Sequence, residues 1–151
     1  MSLTAAIFAL AFGIAMLFAL FKHPIYGLYA YIANFYLHPP SRWWAESLPD
    51  LRWSLLAAGV TMLSILVRQP RSPGGPAWYS TAPGRIMILF VAWFWIGGLW
   101  ALDKEQHYPQ ATILLKYLLV FCMIYRLVDS SEKVTQFLMM HIAGCMYLGY
   151  V

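Results

Sequence analysis

Residues 3–21 read LTAAIFALAFGIAMLFALF and contain no charged side chain. An α-helix needs about 20 predominantly apolar residues to cross the hydrocarbon core of a bilayer, so this stretch predicts a membrane-spanning helix. It begins without a basic region, and no small-x-small cleavage site precedes Lys22, as a removable secretory signal would require. We therefore expect it to remain in the protein as the first helix of the fold.

The composition extends this interpretation to the whole chain. Hydrophobic residues make up 62% of the sequence, aromatic residues 17% and charged residues only 11%, whereas soluble domains carry about 25% charged residues. A water-soluble fold with this composition would expose large apolar patches, which a bilayer accepts as a lipid-facing surface. The composition therefore indicates a membrane protein.

Apolar, aromatic-rich segments cut by short charged loops follow the first one. The second is unusual, because its roughly 14 residues reach only about 21 Å at helical rise, which predicts a short span or a re-entrant segment. The sequence thus predicts an all-α fold, a polytopic transmembrane helix bundle with about five full spans and one short or re-entrant segment. We expect it to form a single transmembrane region over residues 1–151, with segments at 3–21, 24–37, 51–67, 86–102, 110–128 and 134–151.

The loops predict the orientation of the chain. Residues 69–76 are rich in proline and glycine and predict an irregular loop. The surrounding stretch, 68–85, carries arginines and no acid, which places it in the cytoplasm by the positive-inside rule. Lys22 joins that side if the short segment crosses and the opposite side if it does not. The formal net charge of +4 is explained by these loops and does not predict nucleic-acid binding.

A loop on the predicted outer side, HPPSRWW at residues 38–44, carries candidate binding residues. One interpretation is an interfacial anchor, because tryptophan is enriched at the headgroup level of membranes. The other is a binding site, in which the planar guanidinium of Arg42 holds a phosphate and the rings of Trp43 and Trp44 stack on a sugar or a lipid headgroup. The sequence leaves both open.

Lys116 interrupts the fifth segment roughly 9 Å from its predicted outer end by helical rise. A lysine at the centre of a bilayer costs up to about 3 kcal/mol, so this side chain is expected to snorkel or to face protein or water. The alternative hypothesis is that Lys116 and Arg42 together neutralise a lipid diphosphate at the outer leaflet.

The sequence predicts neither a metal site nor a cofactor, and it assigns no catalytic residue. Cys122 and Cys145 lie inside predicted spans, where they are most simply small packing residues. The histidines, including His141 in the last segment, are scattered and lack the partners that a general base requires.

Several motifs resemble the N-terminal region of bacterial O-antigen ligase-like proteins, in particular the O-glycosylation ligases that accompany exosortase systems. They are HPIYGL at 23–28, HPPSRW at 38–43, LPDLR at 48–52, WALD at 100–103 and the stretch 110–116. The resemblance implies a bacterial inner-membrane enzyme that transfers a glycan from a polyprenyl diphosphate carrier to an acceptor at the outer face. Its expected partners are the lipid bilayer, the polyprenyl diphosphate-linked glycan and other membrane proteins.

In that family the residues held responsible for transfer lie in a large external loop late in the chain, and residues 1–151 contain no such loop. The resemblance therefore implies the N-terminal part of a longer membrane protein and assigns no catalytic residue here. The apolar ending at Val151, without a polar flank, favours the same interpretation. The alternatives are a small non-enzymatic membrane scaffold or partner-binding protein, and half of a transporter. The acids all lie in loops or at span ends, which argues against proton or cation coupling.

Overall fold

The computed structural model describes residues 2–39, 42–46, 48–49, 51–68 and 76–150. This part of the chain is all-helical, and the predicted apolar segments all appear as helices in the predicted order. The α-helices are α1 Leu3–Phe21, α2 Ile25–Leu37, α3 Trp53–Arg68, α4 Ala82–Gly97, α5 Lys104–Leu127 and α6 Ser131–Tyr150. Residues 69–75 of the predicted irregular loop, the chain end at Val151, and Pro40, Ser41 and Asp50 of the family-like motifs lie outside the described residues.

The prediction of about five full spans is wrong. In the described part of the chain, two helices are long and apolar enough to cross a membrane by length and composition, α1 and α5. The helices α3 and α4 have 16 residues each, about 24 Å at helical rise, which is less than the roughly 30 Å of a bilayer core. The 13-residue α2 is shorter still. The 20-residue α6 is long enough but begins with the polar sequence SEKVTQ.

The fourth predicted span shows why the predicted number of spans was too high. The apolar sequence continues to Leu102, but the helix ends at Gly97 and a turn follows. The amide N–H of Gly98 donates to the carbonyl of Trp95 at 3.2 Å, and Trp100 and Leu102 are exposed beyond it. The apolar part of the sequence is therefore longer at this end than the helix that it forms.

The described helices belong to two compact units, residues 1–71 with 127–151 and residues 72–126. In the first unit, α2 is the central helix and contacts α1, α3 and α6, while α1 also contacts α3. Although α2 is the shortest α-helix of the described chain, it carries buried residues from Ile25 to Asn34. The segment predicted to be short is therefore packed against three other helices of its unit.

Small residues line the helix contacts of the first unit. A Cβ atom at Gly27 would collide with Thr61 Oγ1, so glycine is what allows α2 to lie so close to α3. Ala5 and Ala57 are also completely buried. Leu3 of α1 is 78% exposed, whereas Phe8 of the same helix is buried. Small residues at helix contacts are typical of membrane helices.

The second unit contains α4 and most of α5. The Thr81 hydroxyl caps α4 by accepting the Gly84 N–H at 3.2 Å. His107 of α5 stacks on the Phe94 ring at 4.6 Å between centroids, and its Nε2 donates to the Phe94 carbonyl at 2.9 Å. The Tyr125 hydroxyl donates to the carbonyl of Pro76 at 2.9 Å. These bonds join α5 to the segments that precede it.

Candidate functional site

The turn after α2 places the predicted binding loop. His38 ends the helix in the left-handed conformation with φ of 41°, and its N–H donates to the Asn34 carbonyl at 3.0 Å. A left-handed residue is a common helix end, and Pro39 cannot continue the helix because it lacks an N–H. The chain then turns again, since the Arg42 N–H donates to the Pro39 carbonyl at 3.0 Å.

Arg42 is held at this turn by two contacts. Its Nε donates to the carbonyl of Leu37 at 3.2 Å, and its guanidinium carbon lies 5.5 Å from the centre of the Tyr147 ring on α6. The ion pair found within the described residues joins Lys133 to Asp129 and does not involve Arg42. Arg42 is therefore a positioned cation without an acidic partner in the described chain, and its terminal amino groups are suited to bind an anion.

The two predicted tryptophans have different environments. Trp43 is 77% exposed, as a stacking or anchoring ring requires. Trp44 is only 7% exposed and packs against Phe8 of α1 at 5.6 Å between ring centroids. Its carbonyl accepts the Ser2 hydroxyl at 2.9 Å. Trp44 thus fastens the loop to α1, and it is Trp43 that presents a ring to the outside.

Aromatic packing encloses this end of the first unit. Trp53, at the start of α3, meets Phe8 at 5.4 Å and Phe12 at 5.1 Å, both edge-to-face. Such pairs are each worth roughly 0.5–1.5 kcal/mol beyond the area that they bury. We call this part of the first unit, defined by Ser2, Arg42, Trp44, Trp53 and Tyr147, the tryptophan end.

Lys116 lies in the second unit, on α5, and its side chain is exposed. Arg42 belongs to the first unit, and the predicted pairing of Lys116 with Arg42 stays a prediction. Arg42, Trp43 and Trp44 all belong to the first unit and form one turn of chain.

A polar seam between α2 and α6 was not predicted from the sequence. The Tyr29 hydroxyl donates to Gln136 Oε1 at 2.8 Å. Two helical turns later, the Tyr36 hydroxyl forms a hydrogen bond of 3.2 Å with His141 Nδ1, and Cys145 Sγ lies 3.8 Å from the same hydroxyl. We call these five residues the α2–α6 seam.

A glycine makes the seam possible. A Cβ atom at Gly144 would collide with the Tyr36 ring, so the absence of a side chain lets that ring lie against α6. The repeated tyrosine at positions 29 and 36 was the available sequence signal, because residues seven apart share one face of a helix. The partners on α6 are more than 100 residues away in the chain, and the sequence offered no means of pairing them.

The titratable groups do not assemble a metal site in the described part of the chain. No group of three or more His, Cys, Asp or Glu side chains comes together there, and Cys122 and Cys145 are free thiols. None of the described acids is buried, including Glu46 and Glu132. A buried carboxylate of the kind that couples ions in transporters is therefore missing from the described residues.

No protein-family model matches this chain, and comparisons with curated proteins and with solved structures found no match either.

Proposed function

We propose that this chain is the N-terminal membrane portion of an O-antigen ligase-like protein of the bacterial inner membrane. In this proposal its tryptophan end helps to bind the polyprenyl diphosphate carrier of a glycan at the outer face. The observation that carries the proposal is Arg42, which is fixed by Leu37 and Tyr147 and has no acidic partner among the described residues.

The chemistry of a lipid diphosphate suits this arrangement. A diphosphate needs cationic hydrogen-bond donors, and a guanidinium presents them in a planar fork that matches phosphate oxygens. With Nε bound to the Leu37 carbonyl, the orientation of that fork is set before a ligand arrives. This preorganisation reduces the entropy that binding would otherwise lose.

The surroundings suit the remaining parts of such a ligand. The exposed ring of Trp43 adjoins Arg42 and offers a surface for a sugar or for the headgroup region. Outward-facing Leu3, at the same end of α1, offers apolar surface to a polyprenyl chain in the bilayer. In this proposal the chain binds and supports the lipid carrier. The glycan transfer itself is assigned to the large external loop that is typical of the family.

The test is a binding measurement on the chain in lipid nanodiscs, comparing a polyprenyl diphosphate with the neutral polyprenol of equal length. We expect Arg42→Gln to weaken diphosphate binding about tenfold, because a hydrogen bond to a charged group contributes about 1.5–3 kcal/mol and part of this is lost to solvent. Arg52→Gln is the matched control, since it removes an exposed arginine from the same loop region. It should change binding less than twofold.

Two outcomes would contradict the proposal. Equal affinity of the unaltered chain for diphosphate and polyprenol would favour the alternative of a non-enzymatic membrane scaffold. Equal losses in Arg42→Gln and Arg52→Gln would show that net charge is recognised and not a built site. Lys116→Gln, measured in the same assay, tests the separate prediction that Lys116 contributes a second cation.

A further inference from the structure

Cations from different helices meet at the opposite end of α2. Lys22 follows α1, and Arg68 is the last residue of α3. The Arg68 Nη1 atom donates to the Lys22 carbonyl at 2.9 Å. The Lys22 ammonium lies 5.5 Å from the centre of the Phe18 ring and 6.0 Å from that of Tyr26. The side chain of Arg68 is thus held against the backbone of Lys22, although the two residues are 46 apart in the chain.

His23 adds a neutral donor at this position. Its Nδ1 accepts the Ile25 N–H at 3.2 Å, so the ring carries its proton on Nε2. Burial lowers the pKa of His23, the charges of Lys133 and Arg68 lower it further, and Asp129 opposes them. The ring is therefore neutral near pH 7 and keeps an N–H to donate.

The nearby acids are already engaged. The Lys133 ammonium binds the Asp129 carboxylate at 2.6 Å, and Glu132 accepts a hydrogen bond from Gln136 at 3.3 Å. Neither acid is paired with Lys22 or Arg68, and no other ion pair occurs among the residues that the structure describes. We call the site of Lys22, His23, Arg68 and Lys133 the basic end of the first unit.

An exposed apolar residue stands immediately before each of two of these cations in the chain. Phe21 precedes Lys22 and is 75% exposed, and Val67 precedes Arg68 and is also 75% exposed. A soluble phosphate would gain nothing from such a surface, whereas the acyl chains of a lipid would bury it. Cations next to exposed apolar side chains are the combination expected where a protein binds the headgroup of a lipid.

We propose that the basic end binds the phosphate of an anionic phospholipid, with Lys22 and Arg68 as its charged ligands and the Nε2–H of His23 as a third donor. The acyl chains lie along the outward faces of α1 and α3. The inference rests on membrane association but not on the proposed function, because α2 separates the basic end from the tryptophan end by about 20 Å at helical rise. The site also agrees with the positive-inside rule, which places clustered cations at the cytoplasmic leaflet.

Native mass spectrometry of the chain released from membranes, with phosphatidylglycerol and phosphatidylcholine offered in equal amounts, tests this directly. We expect phosphatidylglycerol to be retained preferentially. Each juxtamembrane cation favours anionic lipid about fivefold, so Lys22→Gln combined with Arg68→Gln should lower the preference by roughly 25-fold. Arg85→Gln combined with Arg126→Gln removes the same charge from the second unit and should leave most of the preference intact.

Further variants separate the possible causes. Because Arg68 also binds the carbonyl at the end of α1, Arg68→Lys keeps the charge and should keep the lipid preference, which distinguishes lost binding from lost structure. Arg42→Gln should also keep it, so failure of the proposed function at the tryptophan end would not affect this result. Added glycerol 1-phosphate should not displace the lipid.

Three results would overturn the inference. They are an unchanged preference in the double variant of Lys22 and Arg68, an equal loss in the second-unit control, and complete displacement by glycerol 1-phosphate. The last would identify the ligand as a soluble phosphate and not a lipid.

Discussion

The two ends of the first unit position their cations by different means. At the tryptophan end, one arginine is set by a left-handed turn and by an aromatic ring on a distant helix. At the basic end, several cations meet where helices terminate, and a helix-terminal carbonyl and two aromatic rings hold them. The first arrangement gives one cation a defined orientation, and the second concentrates charge. We therefore expect a specific phosphate contact at the first and a general preference for anionic lipid at the second.

Gly27 is the residue on which both ends depend, because it lies on the central helix. Gly27→Ala should lower the free energy of unfolding by about 2–3 kcal/mol, since the new methyl group would collide with Thr61 and approach the Ala19 Cβ to 3.1 Å. Denaturation in detergent, monitored by helix content, measures this. Ligand binding at both ends should fall together.

Two variants check the cause of that loss. Gly59→Ala is the matched control, because a Cβ there meets nothing within 4 Å, and it should be neutral or slightly stabilising. Adding Thr61→Ala to Gly27→Ala should recover part of the stability. If Gly27→Ala and Gly59→Ala behaved alike, the close approach of α2 and α3 would be wrong.

Gly144 should distinguish the two ends. Gly144→Ala pushes the Tyr36 ring away from α6 and is expected to cost about 1–2 kcal/mol of unfolding free energy. Because Tyr147 lies about one helical turn from Gly144 and Lys133 about three turns away, diphosphate binding should weaken while phosphatidylglycerol binding persists. Gly149→Ala, where a Cβ meets open space, is the control for helix propensity. Equal weakening at both ends would show that the ends are not independent.

Asp129→Asn should affect only the basic end, and weakly. The Asp129–Lys133 pair is partly exposed and spaced four residues apart, so it stabilises by about 0.2–1 kcal/mol, less at high salt. Removing the carboxylate frees the Lys133 ammonium, and phosphatidylglycerol preference should rise slightly. A fall in that preference would mean that Lys133 needs Asp129 to hold its position.

The smallest expected effect is the pH dependence that His23 contributes. Its pKa in the folded chain is lowered by burial, so the unfolded chain takes up this proton at a higher pH than the folded chain does. The stability is therefore complete above the ordinary histidine value of 6.5 and is lost as the pH falls through the lowered folded pKa. Unfolding measured from pH 7.5 to 5 should show this decline, and His23→Gln should flatten it. An unchanged slope in that variant would assign the decline to another group.

The helices could be predicted from the sequence more accurately than the spans could. The segment predicted at 3–21 matches α1 at both ends. The uncharged run begins after the capping residue Ser2 and ends before Lys22, so composition and helix have the same limits. At 86–102 the limits of the apolar run differ from those of the helix. Hydrophobicity indicates whether a residue prefers water or an apolar environment, and it does not determine the backbone conformation. The helix α4 ends at Gly97, while the apolar sequence continues to Leu102.

The surroundings of the candidate binding residues could be predicted only in part. Arg42 and Trp43 were distinguished by residue type, and their role in binding stays a prediction. Trp44 was grouped with them because it is adjacent in sequence, yet it packs on Phe8 of another helix. The bond between Tyr36 and His141 joins residues 105 apart, and a single sequence contains no signal for such pairing.

The sequence by itself determined an apolar, all-helical chain and the order of its helices, because these follow from local composition, proline, glycine and charge. Only the tertiary structure decided that the short α2 is the central helix and that Lys22 lies beside Arg68, which sets the two ends apart. The physical reason is that such contacts depend on how closely helices approach. That approach is set by single small residues such as Gly27 and Gly144, whose partners are distant in the chain.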